Sequence, residues 1–270
     1  MPELPEVETT RRGVSPHIVG HKVERLIVRE PRLRWPVPAD LAETLEGQAV
    51  QGIRRRAKYL LMDTEPGSLI VHLGMSGRLQ VVPSDHPCRK HDHVDIVFDH
   101  GYTLRFHDPR RFGSMLWSPE PLNHKLIAQL GPEPLSDDFD GDYLYERSRG
   151  RKAAIKTFIM DARIVVGVGN IYASEALFMA GIHPLRAAGR VSRQRMHALA
   201  EAIKVVLGKA IEAGGTTLRD FFGVDGSSGY FAQQLAVYGR ADEPCRTCGD
   251  RVRQRVIGQR STFYCNTCQS

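Results

Sequence analysis

The final 26 residues constrain this chain more than any other stretch. Four of its five cysteines fall there, as two C-x2-C pairs, Cys245 with Cys248 and Cys265 with Cys268, separated by 16 residues. One turn per pair sets two thiolates on the same ion, and two pairs complete a tetrahedron with metal–sulfur bonds of about 2.3 Å. Four thiolates leave no open position, so the expected cofactor is a single Zn2+ in a structural role. A pair of redox dithiols is the alternative. The chain opens on the acidic MPELPEVETT, without the apolar segment of a secretory signal. In such a chain a cysteine cluster reads as metal rather than disulfide. Between the pairs, GDRVRQRVIGQRSTFY alternates enough to predict a hairpin. From Cys245 to Cys268 there are five Arg and one Asp, a balance of +4 before the metal site is counted. A basic hairpin of that kind suits phosphate contact with a duplex.

The rest of the chain divides by hydrophobic period. At 270 residues and 41% hydrophobic content, two domains and a small module are expected. Up to about residue 118, short β-branched segments (VERLIVRE, AVQGIRRRAKYLLMD, SLIVHLGM, HVDIVFD) are separated by Gly, Pro and Asp. Val94, Ile96 and Phe98 alternate with His93, Asp95 and Val97, and Leu104 and Phe106 alternate with Thr103, Arg105 and His107. That period of two predicts an antiparallel sandwich or barrel. A helix is predicted ahead of it, from the Pro and acids that open PEVETTRRGV. A Pro-, Gly- and acid-rich stretch then reads as a linker, after which the period becomes helical in AAIKTFIMD, NIYASEALFMAG and SRQRMHALAEAIKVVLGKAIEAGG. The predicted boundaries are 1–118, 119–134, 135–235 and 236–270. No run of about 18 apolar residues exists. The expectation is therefore a soluble cytoplasmic protein, and, without a separate apolar interface pattern, a monomer. The net charge of +6 favours a polyanionic partner.

VVGVGNIYASEALF passes through Gly167 and Gly169 to Asn170, a favoured N-cap residue, and into a helix. Glycines before a helix start let a phosphate approach its positive end; ordinary helix–turn–helix packing needs them equally.

In combination, MPELPEVETTRRGV, RRRAKYLL, HLGMSGRL, KHDHVD, DPRRFG, VVGVGNIYASEALF, AGIHP, GGTTLRDF, GYFAQQLAVYGR and QRSTFYC resemble bacterial formamidopyrimidine-DNA glycosylases, in order and over essentially the whole chain. The resemblance implies an α+β fold: an N-terminal antiparallel β-sandwich with an N-terminal helix, a helix–two-turn–helix domain and a four-cysteine zinc-finger hairpin. It implies a bifunctional enzyme acting on double-stranded DNA, removing oxidised purines such as 8-oxoguanine and cleaving at the abasic site, in the bacterial cytoplasm at the nucleoid. Endonuclease VIII, which prefers oxidised pyrimidines, is the related alternative, and a non-catalytic zinc-finger DNA-binding protein the distant one. DPRRFG and the long GGTTLRDFFGVDGSSGYF segment favour the purine enzyme.

The resemblance also assigns residues. Pro2, once Met1 is removed, carries a secondary amine whose ordinary pKa of about 7.7–8.0 leaves much of it unprotonated near neutrality. Such an amine attacks the sugar C1′ and forms an iminium that draws electrons from C2′. Glu3 is implied as the general acid/base and Glu6 as its support. Lys58 is implied as a proton donor and phosphate contact, and Arg260 as a phosphate contact whose permanent charge suits electrostatic stabilisation. Met75, Arg110 and Phe112 are implied to fill the space a flipped nucleotide leaves. Taken singly, Met75 and Phe112 read as core, and Lys58 as a surface lysine. His91, Arg151 and Asn170 are implied phosphate contacts, and residues 216–230 a base-recognition loop.

Overall fold

The computed structural model describes residues 2–215 and 234–270. These fall into two compact units, residues 2–128 with 213–215, and residues 129–212 with 234–270.

The first unit is an antiparallel β-sandwich with a helix in front of it. Helix α1 (Leu4–Ile18) precedes eight strands: β1 (Val23–Val28), β2 (Gly52–Arg56), β3 (Tyr59–Thr64), β4 (Gly67–His72), β5 (Arg78–Pro83), β6 (Asp92–Phe98), β7 (Tyr102–His107) and β8 (Ser114–Ser118). A short helix, α2 (Leu41–Leu45), follows β1. One sheet has the order β1-β6-β7-β5, the other β2-β3-β4-β8. The sandwich core draws on both: Leu26, Leu79, Val94, Ile96, Leu104 and Phe106 from the first; Ile53, Leu60, Met62, Leu69, Val71 and Met115 from the second. Helix α1 adds Val7, Val14 and Ile18 to that core and packs against β2 and β5, one strand from each sheet.

The inward set on β6 and β7 is the predicted one, but the opposite face is not solvated. His93, Asp95, Thr103 and Arg105 are all buried. Arg105 holds Asp95 at 2.9 Å and Arg29 reaches the same carboxylate at 2.7 Å. Burial alone would raise the Asp95 pKa; the hydrogen bonds from Arg105 and Arg29 bring it below its ordinary value. A polar alternation therefore marks a paired ionic layer here rather than a wet surface.

The second unit is helical with a terminal hairpin: α3 (Gly141–Ser148), α4 (Ile155–Ile159), α5 (Asn170–Met179), α6 (Arg193–Glu212), β9 (Arg253–Ile257) and β10 (Arg260–Tyr264). Helices α3 and α5 both pack on α6, which buries Met196, Leu199, Ile203, Val206 and Ile211 as its period predicts. The residues just before Gly167 are not helical: α4 stops at Ile159, and consecutive turns lead to α5. No helix among the described residues is long and apolar enough to cross a membrane.

Candidate active site

Pro2 and Glu3 are buried at the start of α1. Glu3 is extended (φ −104°, ψ −169°) and Pro5 sits in the first helical turn, where a missing N–H costs nothing. The Glu3 N–H donates to Glu6 Oε2 at 2.8 Å, so the buried Glu6 fixes the backbone on which Pro2 and Glu3 stand. One turn on, Glu8 receives Arg11 and Arg12, both at 2.9 Å, and Arg55 at 3.2 Å. Burial works to raise its pKa, but the hydrogen bonds from Arg11 and Arg12 and the charges of Arg11 and Arg55 outweigh it and hold the group at about 2. Arg55 belongs to β2, so this clamp ties helix α1, which follows Pro2 and Glu3, to the hairpin that carries Lys58.

Lys58 lies in the two-residue turn between β2 and β3, after Ala57 at φ +55°. Tight hairpins of this length favour positive φ, and the Arg55 guanidinium steadies this one by donating to the Ala57 carbonyl at 3.1 Å. Lys58 is half-buried rather than a free surface lysine. Its charge bears on His72 at the end of β4, whose pKa is pushed down to about 4 by burial first, then by Lys58 and Arg34. The neutral His72 ring accepts at Nδ1 from the Gly74 N–H at 3.0 Å, at the base of the loop that carries Met75.

That loop and the segment following β7 meet backbone to backbone. Gly74 has φ +67°, and a Cβ there would come within 2.4 Å of the Phe112 carbonyl carbon. Phe112 is 43% exposed, with the Arg110 guanidinium 5.1 Å from its ring centroid, and Met75 is half-buried. Phe112 is thus not core, contrary to its reading as a single residue. His91, at φ +77°, is half-buried with its ring edge-on to those of His93 and His107.

In the second unit the four cysteines converge. Their sulfurs lie within 4.8 Å of one another, with Cys248 to Cys265 at 3.5 Å and Cys245 to Cys268 at 3.9 Å. A tetrahedron of about 2.3 Å bonds has edges of about 3.8 Å, so the donor set fits one zinc ion. Arg260 follows a two-residue turn in which Gly258 (φ +57°) and Gln259 (φ +61°) are both left-handed, the hairpin geometry that best matches strand twist. Arg260 and Arg151 are exposed.

Asn170 is the first residue of α5; the N-cap is Gly169. The expected cap is corrected because the Asn170 side chain is used elsewhere. Its Oδ1 accepts from Lys156 Nζ at 2.6 Å and its Nδ2 donates to the Ser261 carbonyl at 2.9 Å. Lys156, 1% exposed, also donates to Thr262 Oγ1 at 2.7 Å, and that hydroxyl donates to the Arg260 carbonyl at 3.2 Å. A single buried ammonium therefore joins the start of α5 to the strand that begins at Arg260.

Three family models match the chain in order: the formamidopyrimidine-DNA glycosylase N-terminal domain over residues 1–115, the H2TH domain of the same enzymes over 130–222, and the zinc finger found in FPG and IleRS over 242–270. The formamidopyrimidine-DNA glycosylase of Syntrophotalea carbinolica is 62% identical over 270 residues, covering all of both chains. The chain belongs to the formamidopyrimidine-DNA glycosylase family. Among solved structures, a Lactococcus lactis FPG mutant in complex with DNA containing Fapy-dG has a TM-score of 0.93 at 35% identity, with both chains fully covered. The Lactococcus lactis enzyme with DNA containing an abasic site gives 0.92 at 35% identity over 99% of each chain.

Within this member of the formamidopyrimidine-DNA glycosylase family, sequence reasoning passed over two buried charges that tie separate segments of the second unit together. Lys156 is one. The other is Glu175, whose carboxylate accepts from three consecutive backbone N–H groups, Ala236 at 2.7 Å, Val237 at 2.9 Å and Tyr238 at 2.8 Å. Each carries a signal that could have found it, a lone charge inside an otherwise uncharged, mostly apolar run: AAIKTFI for Lys156, ASEALF for Glu175. The predicted base-recognition loop, 216–230, lies outside the described residues.

Proposed function

We propose that this chain, a DNA base-excision-repair glycosylase by family, excises oxidised purines from duplex DNA and then cleaves the strand through an N-terminal proline iminium. The observation that carries the reading is the burial of Pro2 and Glu3 together, on a backbone fixed by the buried Glu6. With Met1 removed, the Pro2 nitrogen attacks C1′ of the damaged nucleotide. The base leaves with the C1′–N electron pair and takes up a proton, the sugar ring opens at C1′–O4′, and an iminium forms between Pro2 and C1′. Loss of a C2′ proton then expels the 3′ phosphate, and a second elimination expels the 5′ phosphate. Glu3 moves protons at the sugar. Lys58, held half-buried in its hairpin turn, protonates and contacts phosphate. Arg260 stabilises a leaving phosphate by its charge.

The remaining residues bind. Met75, Arg110 and Phe112 enter the stack vacated by the flipped nucleotide; the exposed guanidinium–aromatic pair suits insertion beside bases. His91, Arg151 and Asn170 contact phosphates. One Zn2+ on Cys245, Cys248, Cys265 and Cys268 holds the hairpin in shape and takes no part in the reaction. The Lactococcus complexes with Fapy-dG and abasic-site DNA support both halves of this activity. The enzyme acts as a monomer on chromosomal DNA in the cytoplasm. The test is excision from duplexes carrying 8-oxoguanine opposite cytosine against duplexes carrying dihydrothymine. Faster release of the purine, with both phosphates eliminated, is expected; preferential release of the pyrimidine would place the chain with endonuclease VIII in specificity.

A further inference from the structure

Asp108 is completely buried, directly after β7, and every polar group it has is used. Its Oδ1 accepts from the Ser76 hydroxyl at 2.7 Å, and its Oδ2 from the Gly113 N–H at 2.8 Å. Its N–H donates to the His91 carbonyl at 3.0 Å. Its own carbonyl lies 2.8 Å from His93 Nε2 and accepts the Arg111 N–H at 3.2 Å. Ser76 in turn accepts the Arg110 N–H at 3.3 Å. These bonds reach three separate pieces of chain. Ser76 follows Met75, Gly113 follows Phe112, and His91 is the left-handed residue before β6.

We propose that Asp108 is a positioning residue that sets Met75, Arg110, Phe112 and His91 in fixed relation, so that they act on DNA as one rigid wedge. The proposal rests on the reading of those four residues given above. The physical case is that Met75, Arg110 and Phe112 are not anchored well by their own side chains, and that His91 joins them through the backbone bond from Asp108 to its carbonyl. Phe112 and Arg110 are exposed and Met75 is an unbranched chain with three rotors, so the precision of the wedge must come from the backbone beneath it. That backbone lacks a strand ladder from Leu73 to Gly77 and from Asp108 to Gly113. The Asp108 carboxylate supplies cross-links in its place, and its two acceptor oxygens match two donors from different loops.

The chemistry separates positioning from charge. In Asp108→Asn the amide oxygen can keep the Gly113 N–H, and the amide nitrogen can donate to Ser76, whose hydroxyl rotates to allow it. In Asp108→Ala both donors lose their acceptor. The order of damage expected is Ala, then Asn, then wild type. Ser76→Ala cuts the links to Met75 and Arg110 alone and falls between Ala and wild type.

The assay is single-turnover excision of 8-oxoguanine, with cleavage of a preformed abasic site on the same duplex, and stopped-flow fluorescence of 2-aminopurine placed beside the lesion to follow opening of the stack. Asp108→Ala should slow lesion excision and stack opening together, by about 10–100-fold for two buried donors left unpaired. Abasic cleavage should fall less, because no base must be extruded. Asp108→Asn should recover most of the stack-opening rate. If Asp108→Ala does not fold, Asp108→Asn and Ser76→Ala carry the test. Wild-type stack opening in both would overturn the proposal while leaving the enzyme's reaction intact. A variant Asn as inactive as Ala on both substrates would also overturn it, because charge rather than positioning would then be the requirement. Failure of the wild type itself to cleave an abasic site would instead remove the proposed function.

Discussion

Lys156→Met removes an ammonium and keeps the side chain's length and apolar stem. In the native protein Nζ donates to Asn170 Oδ1 at 2.6 Å, Thr262 Oγ1 at 2.7 Å and the Ser261 carbonyl at 3.2 Å. Ser261 keeps its bond from Asn170, and Thr262 keeps its bond to Arg260, so the acceptor left without its strongest partner is Asn170 Oδ1. Leaving one buried acceptor unpaired costs about 1–3 kcal/mol, partly offset because an ammonium no longer has to be desolvated. For a chain of this size that is a fall in Tm of roughly 2–10 °C. The larger consequence is for DNA. Thr262 keeps its bond to the Arg260 carbonyl but loses the cation that orders its hydroxyl, so the start of the strand that carries Arg260 is held less firmly. A phosphate contact given up costs about 1.5–3 kcal/mol, or about 10–100-fold in affinity.

Salt dependence isolates the cause. Each phosphate neutralised contributes about 0.9 to the slope of log K against log salt. Lys156 is 1% exposed and reaches no phosphate itself, so losing its charge directly should leave the slope alone. A slope lower by about 0.9, equal to that of Arg260→Ala, would report displacement of Arg260. The assay is fluorescence anisotropy of an abasic-analogue duplex over a potassium chloride series, with the double variant included. Arg260→Ala should add little on top of Lys156→Met. An unchanged slope, or full additivity of the two substitutions, would refute the reasoning that the buried ammonium works through the finger arginine.

Further expectations follow from other contacts. His72 has a folded-state pKa of about 4 against an ordinary 6.5, so the unfolded chain binds its proton first and stability falls as pH drops from 6.5 towards 4. His72→Asn keeps an acceptor for Gly74 but does not titrate, and denaturant midpoints at pH 7 and pH 4.5 should differ less in it than in wild type. Gly74→Ala places a Cβ about 2.4 Å from the Phe112 backbone at φ +67°, so it should destabilise by about 3 kcal/mol or more and suppress lesion excision; urea unfolding and excision rates check both. Removal of zinc should release one ion per chain to a colorimetric chelator and abolish duplex binding, because Cys245 and Cys265 form the small core of the hairpin with Val237, Val252 and Phe263.

Legibility in the sequence followed the range of the interaction. The convergence of the four cysteines was readable because C-x2-C spacing is local and its chemistry leaves few alternatives. Helix α6 was readable because a 3.6-residue period ran through it without interruption. The inward faces of β6 and β7 were readable, but the buried opposite face was not. His93, Asp95 and Arg105 look like solvent residues until Arg29 and the segment before β6 are known to cover them. Strands β5 and β8, RLQVVP and SMLWS, escaped notice although Gly77 with Ser84 and Asp85 bounds the one and Gly113 with Pro119 bounds the other. Asn170 looked like a cap because Asn often is one. Its tertiary partners, 14 and 91 residues away, override the local preference. Asp108 stood in plain view in DPRRFG, but its importance lies in bonds to residues 32 positions back and 5 positions on, and no periodicity reports those. The residues assigned to chemistry came from resemblance, since Pro2 and Glu3 by themselves are an ordinary helix start.

The most direct test of the central claim is to incubate the enzyme with duplex DNA carrying one 8-oxoguanine opposite cytosine in the presence of borohydride. The reagent reduces an iminium to a stable amine, and mass mapping of the adducted peptide then identifies the nucleophile. The expected result is one covalent adduct, on Pro2 with Met1 absent. An adduct on Lys58 or another lysine, or efficient strand cleavage with no adduct at all, would contradict the account.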